Sequence, residues 1–179
     1  FTVGQPDFRT PQPVVDSAVI ALEAGMHGYT RSQGTESACK SVAEHLSKYG
    51  IDVDHNDVVI SPGCKQALLY AMMTCLNPED EVILLSPAWP SYEGMLSLIG
   101  AVPVNVPVNR HNYHPDIDAI RSAITPKTKA IMVNSPNNPT GAVYLPSEIK
   151  ELTDIAIEND LWIFDDMIYS DLVYSEHAY

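Results

Sequence analysis

Two short apolar runs, Ala130-Ile131-Met132-Val133 and Leu161-Trp162-Ile163-Phe164, each break abruptly into polar residues, and one helix's length of chain separates them. The first exits into Asn134-Ser135-Pro136-Asn137-Asn138-Pro139-Thr140-Gly141, the second into Asp165-Asp166-Met167-Ile168-Tyr169. Unbroken apolar runs that alternate with helical periodicity describe parallel strands buried on both faces. Parallel neighbours need a crossover connection, so both polar tips must emerge at the same end of one sheet. Ligands of such sheets bind just beyond the carboxyl ends of the strands. The fold class expected is therefore α/β, a three-layer α/β/α arrangement around a mostly parallel central sheet.

The rest of the chain agrees with this pattern. Helices are expected over residues 13–24 (stopped at Gly25), 37–49 (stopped at Gly50, with Ala38, Val42 and Leu46 on one face), 65–76, 91–99, 116–124 and 146–159. Short strands are expected at Val58-Val59-Ile60 and over residues 82–85, with an extended stretch over 101–108. The helix over 65–76 reads as buried. The 14 prolines cluster at strand exits, as at Pro87, Pro90, Pro136 and Pro139, where they stiffen the loops that would line a crevice.

Composition excludes several functions. The chain has 179 residues, 45% of them hydrophobic and 18% charged, in the range of folded globular domains. No apolar run approaches the ~20 residues that span a bilayer. Ten basic against 23 acidic residues give a net charge of −13, which repels nucleic acid and leaves no basic stripe for it. Three cysteines (Cys39, Cys64 and Cys75) without C-x-x-C spacing suggest reduced thiols in a cytoplasmic protein rather than a disulfide or zinc framework. The six histidines are scattered over loops and surfaces and form no ligand set.

Gly63, Cys64 and Lys65 open a helix just after a strand, where exposed backbone amides and the helix dipole favour an anion. Around them, five ordered segments carry a resemblance. They are Gly4-Gln5-Pro6-Asp7-Phe8 with Thr10-Pro11; Tyr29-Thr30 with Gly34; Ser61-Pro62-Gly63-Cys64-Lys65-Gln66-Ala67-Leu68; Ser86-Pro87-Ala88-Trp89-Pro90-Ser91-Tyr92; and the two strand tips. Together they resemble the class I/II (fold type I) aminotransferases of the aspartate and aromatic type, which use pyridoxal 5′-phosphate (PLP).

The resemblance implies a set of roles. Asp166, three positions before Tyr169, would face the pyridine nitrogen and keep it protonated, so that the ring accepts electrons. At ~4 Å and an effective dielectric near 20 such a pair contributes ~4 kcal/mol. Tyr169 and Asn138 would hydrogen-bond the phenolic oxygen, Trp89 would stack on the ring, and the amides of Cys64 and Lys65 would hold the phosphate, with Gly63 letting the backbone approach it closely. Gly4, Trp89 and Asn138 would meet substrate, and Tyr29 would reach the phosphate of a partner subunit, making the protein a homodimer with composite sites. Many relatives carry a second glycine or a hydroxyl residue where this chain has Cys64 and Lys65.

The family's Schiff-base lysine and its two arginines lie downstream of the Asp-x-x-Tyr segment, and no matching motif precedes Tyr179. We therefore expect an N-terminal segment and contact loop over 1–30, a partial PLP-binding large domain over 31–179, and no catalytic lysine in this chain, which is inactive alone. The reaction implied is amino transfer between an amino acid and a 2-oxo acid. A β-eliminating C–S lyase and a cyclopropane-forming synthase share the same motifs; from other classes, a non-catalytic ligand-sensing domain of aminotransferase-like fold and a degenerate structural partner are the alternatives.

Overall fold

The computed structural model describes residues 7–174. These fall into two compact units, one ending at Ile60 and the other beginning at Ser61.

The first unit contains helices α1 (Gln12–Glu23) and α2 (Glu36–Ser47) and a 3₁₀ turn, His55–Asp57. Thr35 caps α2, its hydroxyl accepting from the Ala38 amide, as short polar side chains do at helix starts. The apolar stripe of α2 turns inward at Cys39, whose thiol donates to the carbonyls of Gln33 and Val58. The strand expected at Val58–Ile60 does not form. That stretch is extended but holds only isolated bonds, such as Ile60 N–H to the Gln33 carbonyl at 2.8 Å, and one bond is not a ladder. Gly34 lies beside it at φ +108°, and a Cβ there would come within 2.9 Å of the Ile60 Cβ. Gly34→Ala is therefore expected to destabilise this unit by roughly 2 kcal/mol or more, through left-handed backbone strain and overpacking together. Denaturant unfolding measures this, and an unchanged midpoint would show that Ile60 moves aside.

The second unit alternates strands and helices in the order α3 (Cys64–Cys75), β1 (Glu81–Ser86), α4 (Ser91–Ile99), β2 (Val102–Pro107), α5 (Ile117–Ala123), β3 (Thr128–Asn134), α6 (Pro146–Glu158) and β4 (Trp162–Asp166). All strand pairs are parallel, in the order β2-β1-β3-β4. Side-chain alternation divides the core in two. Val82, Leu84, Ala130, Met132 and Phe164 pack under Leu68 and Met72 of α3 and Tyr92, Met95 and Leu96 of α4. Ile83, Leu85, Ile131 and Val133 face Ile120 of α5 and Leu152 and Ile155 of α6. This is the three-layer α/β/α sandwich expected from the sequence.

Only one face of α3 is buried, through Leu68 and Met72, while Tyr70 and Met73 are exposed. The helix is thus buried on one side only, with apolar side chains left on its outer side. The chain leaves β1 through α4 toward β2 on one side, and leaves β3 through α6 toward β4 on the other. The carboxyl ends of β1 and β3 therefore flank a switch in strand order, the place where such sheets open a crevice.

Candidate active site

Alternation at the end of β4 sends Asp165 outward and Asp166 inward, onto the α3–α4 face, where it is 4% exposed. A buried carboxylate must be hydrogen-bonded, and three donors converge on this one. The Tyr92 hydroxyl donates to Oδ2 at 2.7 Å, the Cys64 thiol to Oδ1 at 3.4 Å and the Ile168 amide to Oδ1 at 3.3 Å. Burial, the hydrogen bond to Asp166 and its charge all push the Tyr92 hydroxyl well above the ordinary phenol range. Burial, the Asp166 charge and that hydrogen bond push the Cys64 thiol up to about 11. Both groups stay protonated near neutral pH, so both act as donors, and Cys64 is no nucleophile there.

Cys64 is also the first residue of α3. Gly63, at its N-cap, holds φ 90° and ψ 160°, a region open essentially to glycine alone. No side chain caps this helix end, and a Cβ on Gly63 would meet nothing within 4 Å. The first-turn amides of Cys64 and Lys65 thus border open space, as an anion cradle requires.

Trp89, half-buried on the loop after β1, stands edge-on to Tyr92 with ring centroids 5.4 Å apart. The Lys65 side-chain nitrogen lies over the indole, 4.9 Å from its centroid, a cation–π distance. The cradle, the indole and the acid are therefore linked side chain to side chain.

The exit from β3 is held from within. Ser135 Oγ accepts from Tyr144 N–H, and Asn137 Oδ1 accepts from the amide and hydroxyl of Thr140. Asn134 donates from Nδ2 to the Asp166 carbonyl and accepts at Oδ1 from the Asn138 amide. Asn138 and Tyr169 are half-buried beside this network.

The structure thus brings together Gly63, Cys64, Lys65, Trp89, Asn138, Asp166 and Tyr169. Tyr29 belongs to the first unit and is fully exposed. Gly4 lies outside the described residues. Sequence reasoning missed three contributions. Tyr92 was visible only as the last letter of its motif, and the only hint for Asn134 was its position at a strand end. Cys64 was read for its amide, with no signal that its thiol reaches Asp166.

Among the described residues no group of three or more His, Cys, Asp or Glu could hold a metal ion, and no helix is long and apolar enough to cross a membrane. His114 is a loop residue, as expected, but its Nδ1 sits 2.8 Å from both Glu148 carboxylate oxygens. That contact ties the loop to the first turn of α6.

Comparison with known proteins identifies relatives of the whole chain. The model of the family "Aminotransferase class I and II" covers residues 1–179. An aspartate/prephenate aminotransferase of Thermus thermophilus is 41% identical over 180 residues, covering 99% of this chain and 47% of the relative. A probable aspartate/prephenate aminotransferase of Thermus aquaticus is 40% identical over 176 residues, covering 97% of this chain and 46% of the relative. The solved structure of the Thermus thermophilus aspartate aminotransferase with maleate superposes with a TM-score of 0.96 at 39% identity, over 99% of this chain and 47% of that one. The chain thus spans about half the length of the relatives it matches. With the family model running from first residue to last and the fold superposing on solved members, this chain belongs to the class I and II aminotransferases.

Proposed function

We propose that this chain supplies the cofactor-binding half of an enzyme that moves an amino group between an amino acid, of aspartate or aromatic type, and a 2-oxo acid. The family depends on PLP. One observation carries the reading: a single buried carboxylate, Asp166, is joined through Cys64 to an uncapped helix N-terminus and through Tyr92 to an indole.

These residues fit the cofactor. The ring needs an anion at its nitrogen, a flat face beside it and donors at its phenolic oxygen, and its phosphate needs unpaired amides. When bound, PLP supplies an electron sink for the pair left on the substrate α-carbon. Asp166 then holds a proton at the ring nitrogen, with Tyr92 and Cys64 fixing the carboxylate. Asn138 and Tyr169 donate to the phenolic oxygen. Trp89 would lie against the ring and keep water from that side, and the amides of Cys64 and Lys65 would hold the phosphate. Lys65 adds a positive charge over the indole, where an acidic ligand group can pair with it.

We place the covalent lysine and the substrate-gripping arginines outside this chain, which alone is inactive. Gly4 would meet the substrate carboxylate, and Tyr29 would serve the neighbouring site of a cytoplasmic homodimer.

The test is the intact protein assayed with aspartate plus 2-oxoglutarate, and in parallel with cystathionine. Glutamate and oxaloacetate should appear in the first assay, alongside PLP absorbance in the purified protein. Pyruvate and ammonia released from cystathionine would instead mark a C–S lyase, and a protein that takes up no PLP would be a sensor or structural partner.

A further inference from the structure

Asn134 ends β3, and its Cα partner in the parallel ladder is Asp166, the last residue of β4. The ladder stops there, because Ser135-Pro136 turns the chain away and proline has no N–H to offer. The Asn134 side chain continues the pairing in its place. Its Nδ2 donates to the Asp166 carbonyl at 2.8 Å, and its Oδ1 accepts from the Asn138 amide at 2.8 Å. The assignment of the two ends is forced, since a carbonyl can only accept and an amide N–H can only donate.

Asn134 is 4% exposed, so neither bond can be exchanged for water. One planar amide therefore sets the spacing between the backbone that carries the acid and the backbone that carries Asn138. Aspartate keeps the acceptor but lacks the donor. Serine is too short, and glutamine is one methylene too long for both bonds.

We propose that Asn134 is a positioning residue that holds Asp166 and Asn138 at the separation a bound pyridine ring requires, between its nitrogen and its phenolic oxygen. The inference rests on the cofactor reading above. A purely structural cap would change stability and leave ligand affinity alone.

The experiment compares the intact protein with its Asn134→Ala and Asn134→Asp variants. It uses pyridoxamine 5′-phosphate, which binds without a covalent bond, as the calorimetric probe, and NMR to follow exchange of the Asn138 amide. The unsubstituted protein binds the probe and protects that amide. Asn134→Ala weakens binding roughly tenfold or more, as expected when buried polar partners are left unpaired, and exposes the Asn138 amide to exchange. Asn134→Asp retains the protection and loses affinity by a smaller factor. Affinity within twofold of the unsubstituted protein in a folded Asn134→Ala variant overturns the inference. If that variant does not fold, unchanged affinity in Asn134→Asp overturns it equally. A protein that never binds the probe overturns the cofactor reading as well, whereas binding that ignores both substitutions overturns this inference alone.

Discussion

Asp166→Asn in the intact protein is expected to lower kcat/KM for transamination about a thousandfold while leaving the fold almost as stable as before. The size follows from the charge. An ion pair at ~4 Å in an effective dielectric near 20 is worth ~4 kcal/mol, and each 1.36 kcal/mol is a factor of ten in rate. The preserved fold follows from the hydrogen bonds. The Asn carbonyl oxygen still accepts from Tyr92, the shortest of the three contacts at 2.7 Å. Only the longer bond from the Ile168 amide, at 3.3 Å on an exposed residue, loses its acceptor. Asp166→Ala differs because it strands the buried Tyr92 hydroxyl, at a cost of ~1–3 kcal/mol in stability. Steady-state kinetics and thermal unfolding of both variants separate the two effects. Activity of Asp166→Asn within tenfold of the unsubstituted enzyme would mean that the carboxylate does not face the ring nitrogen.

The largest loss of stability is expected at Ile131→Ala. Ile131 is fully buried at the centre of β3, flanked by Ile83 of β1 and Ile163 of β4 and packed in the layer that α5 and α6 cover. Removing that much side chain from a strand held on both edges leaves a void that cannot collapse, and such substitutions cost ~2–5 kcal/mol. Against a typical total of ~5–15 kcal/mol, that is a substantial fraction. Chemical denaturation should show it as a lower midpoint. Val102→Ala, on the outer strand and 39% exposed, should stay within ~0.5 kcal/mol of the parent. Similar losses at both positions would mean that the sheet is not the rigid centre of the unit.

The sheet was readable because its inner strands are apolar on both faces, and only burial on both faces calls for that. β1 and β3 extend a residue or two beyond the apolar runs because polar ends such as Glu81 and Asn134 still join the ladder. Helix α4 was readable to the residue, from Ser91 to Ile99, with a proline before it and a glycine after it. The Val58–Ile60 stretch has strand composition, but pairing is a property of the neighbour and not of the segment. Over-reading α3 as fully buried has a related cause. Apolar content is high all round that helix, and the sequence does not say which face the sheet takes.

Within the site, the resemblance pointed to residues at strand tips and turns, and the structure brings those of the second unit near one another. The contacts between them were not legible in the sequence. Tyr92 lies 74 positions and Cys64 102 positions from the carboxylate they share, and nothing local to Tyr92 separates a hydrogen-bonded phenol from one more core aromatic.

That carboxylate hangs from one layer of the sandwich only. Its two side-chain donors ride on α3 and α4, above Leu68, Met72 and Leu96. Mutational tolerance should therefore be lopsided. A lineage that rebuilds the packing beneath α5 and α6 puts its melting point and the β3 exit at stake, whereas the same drift beneath α3 and α4 would tilt the acid itself and detune the reaction.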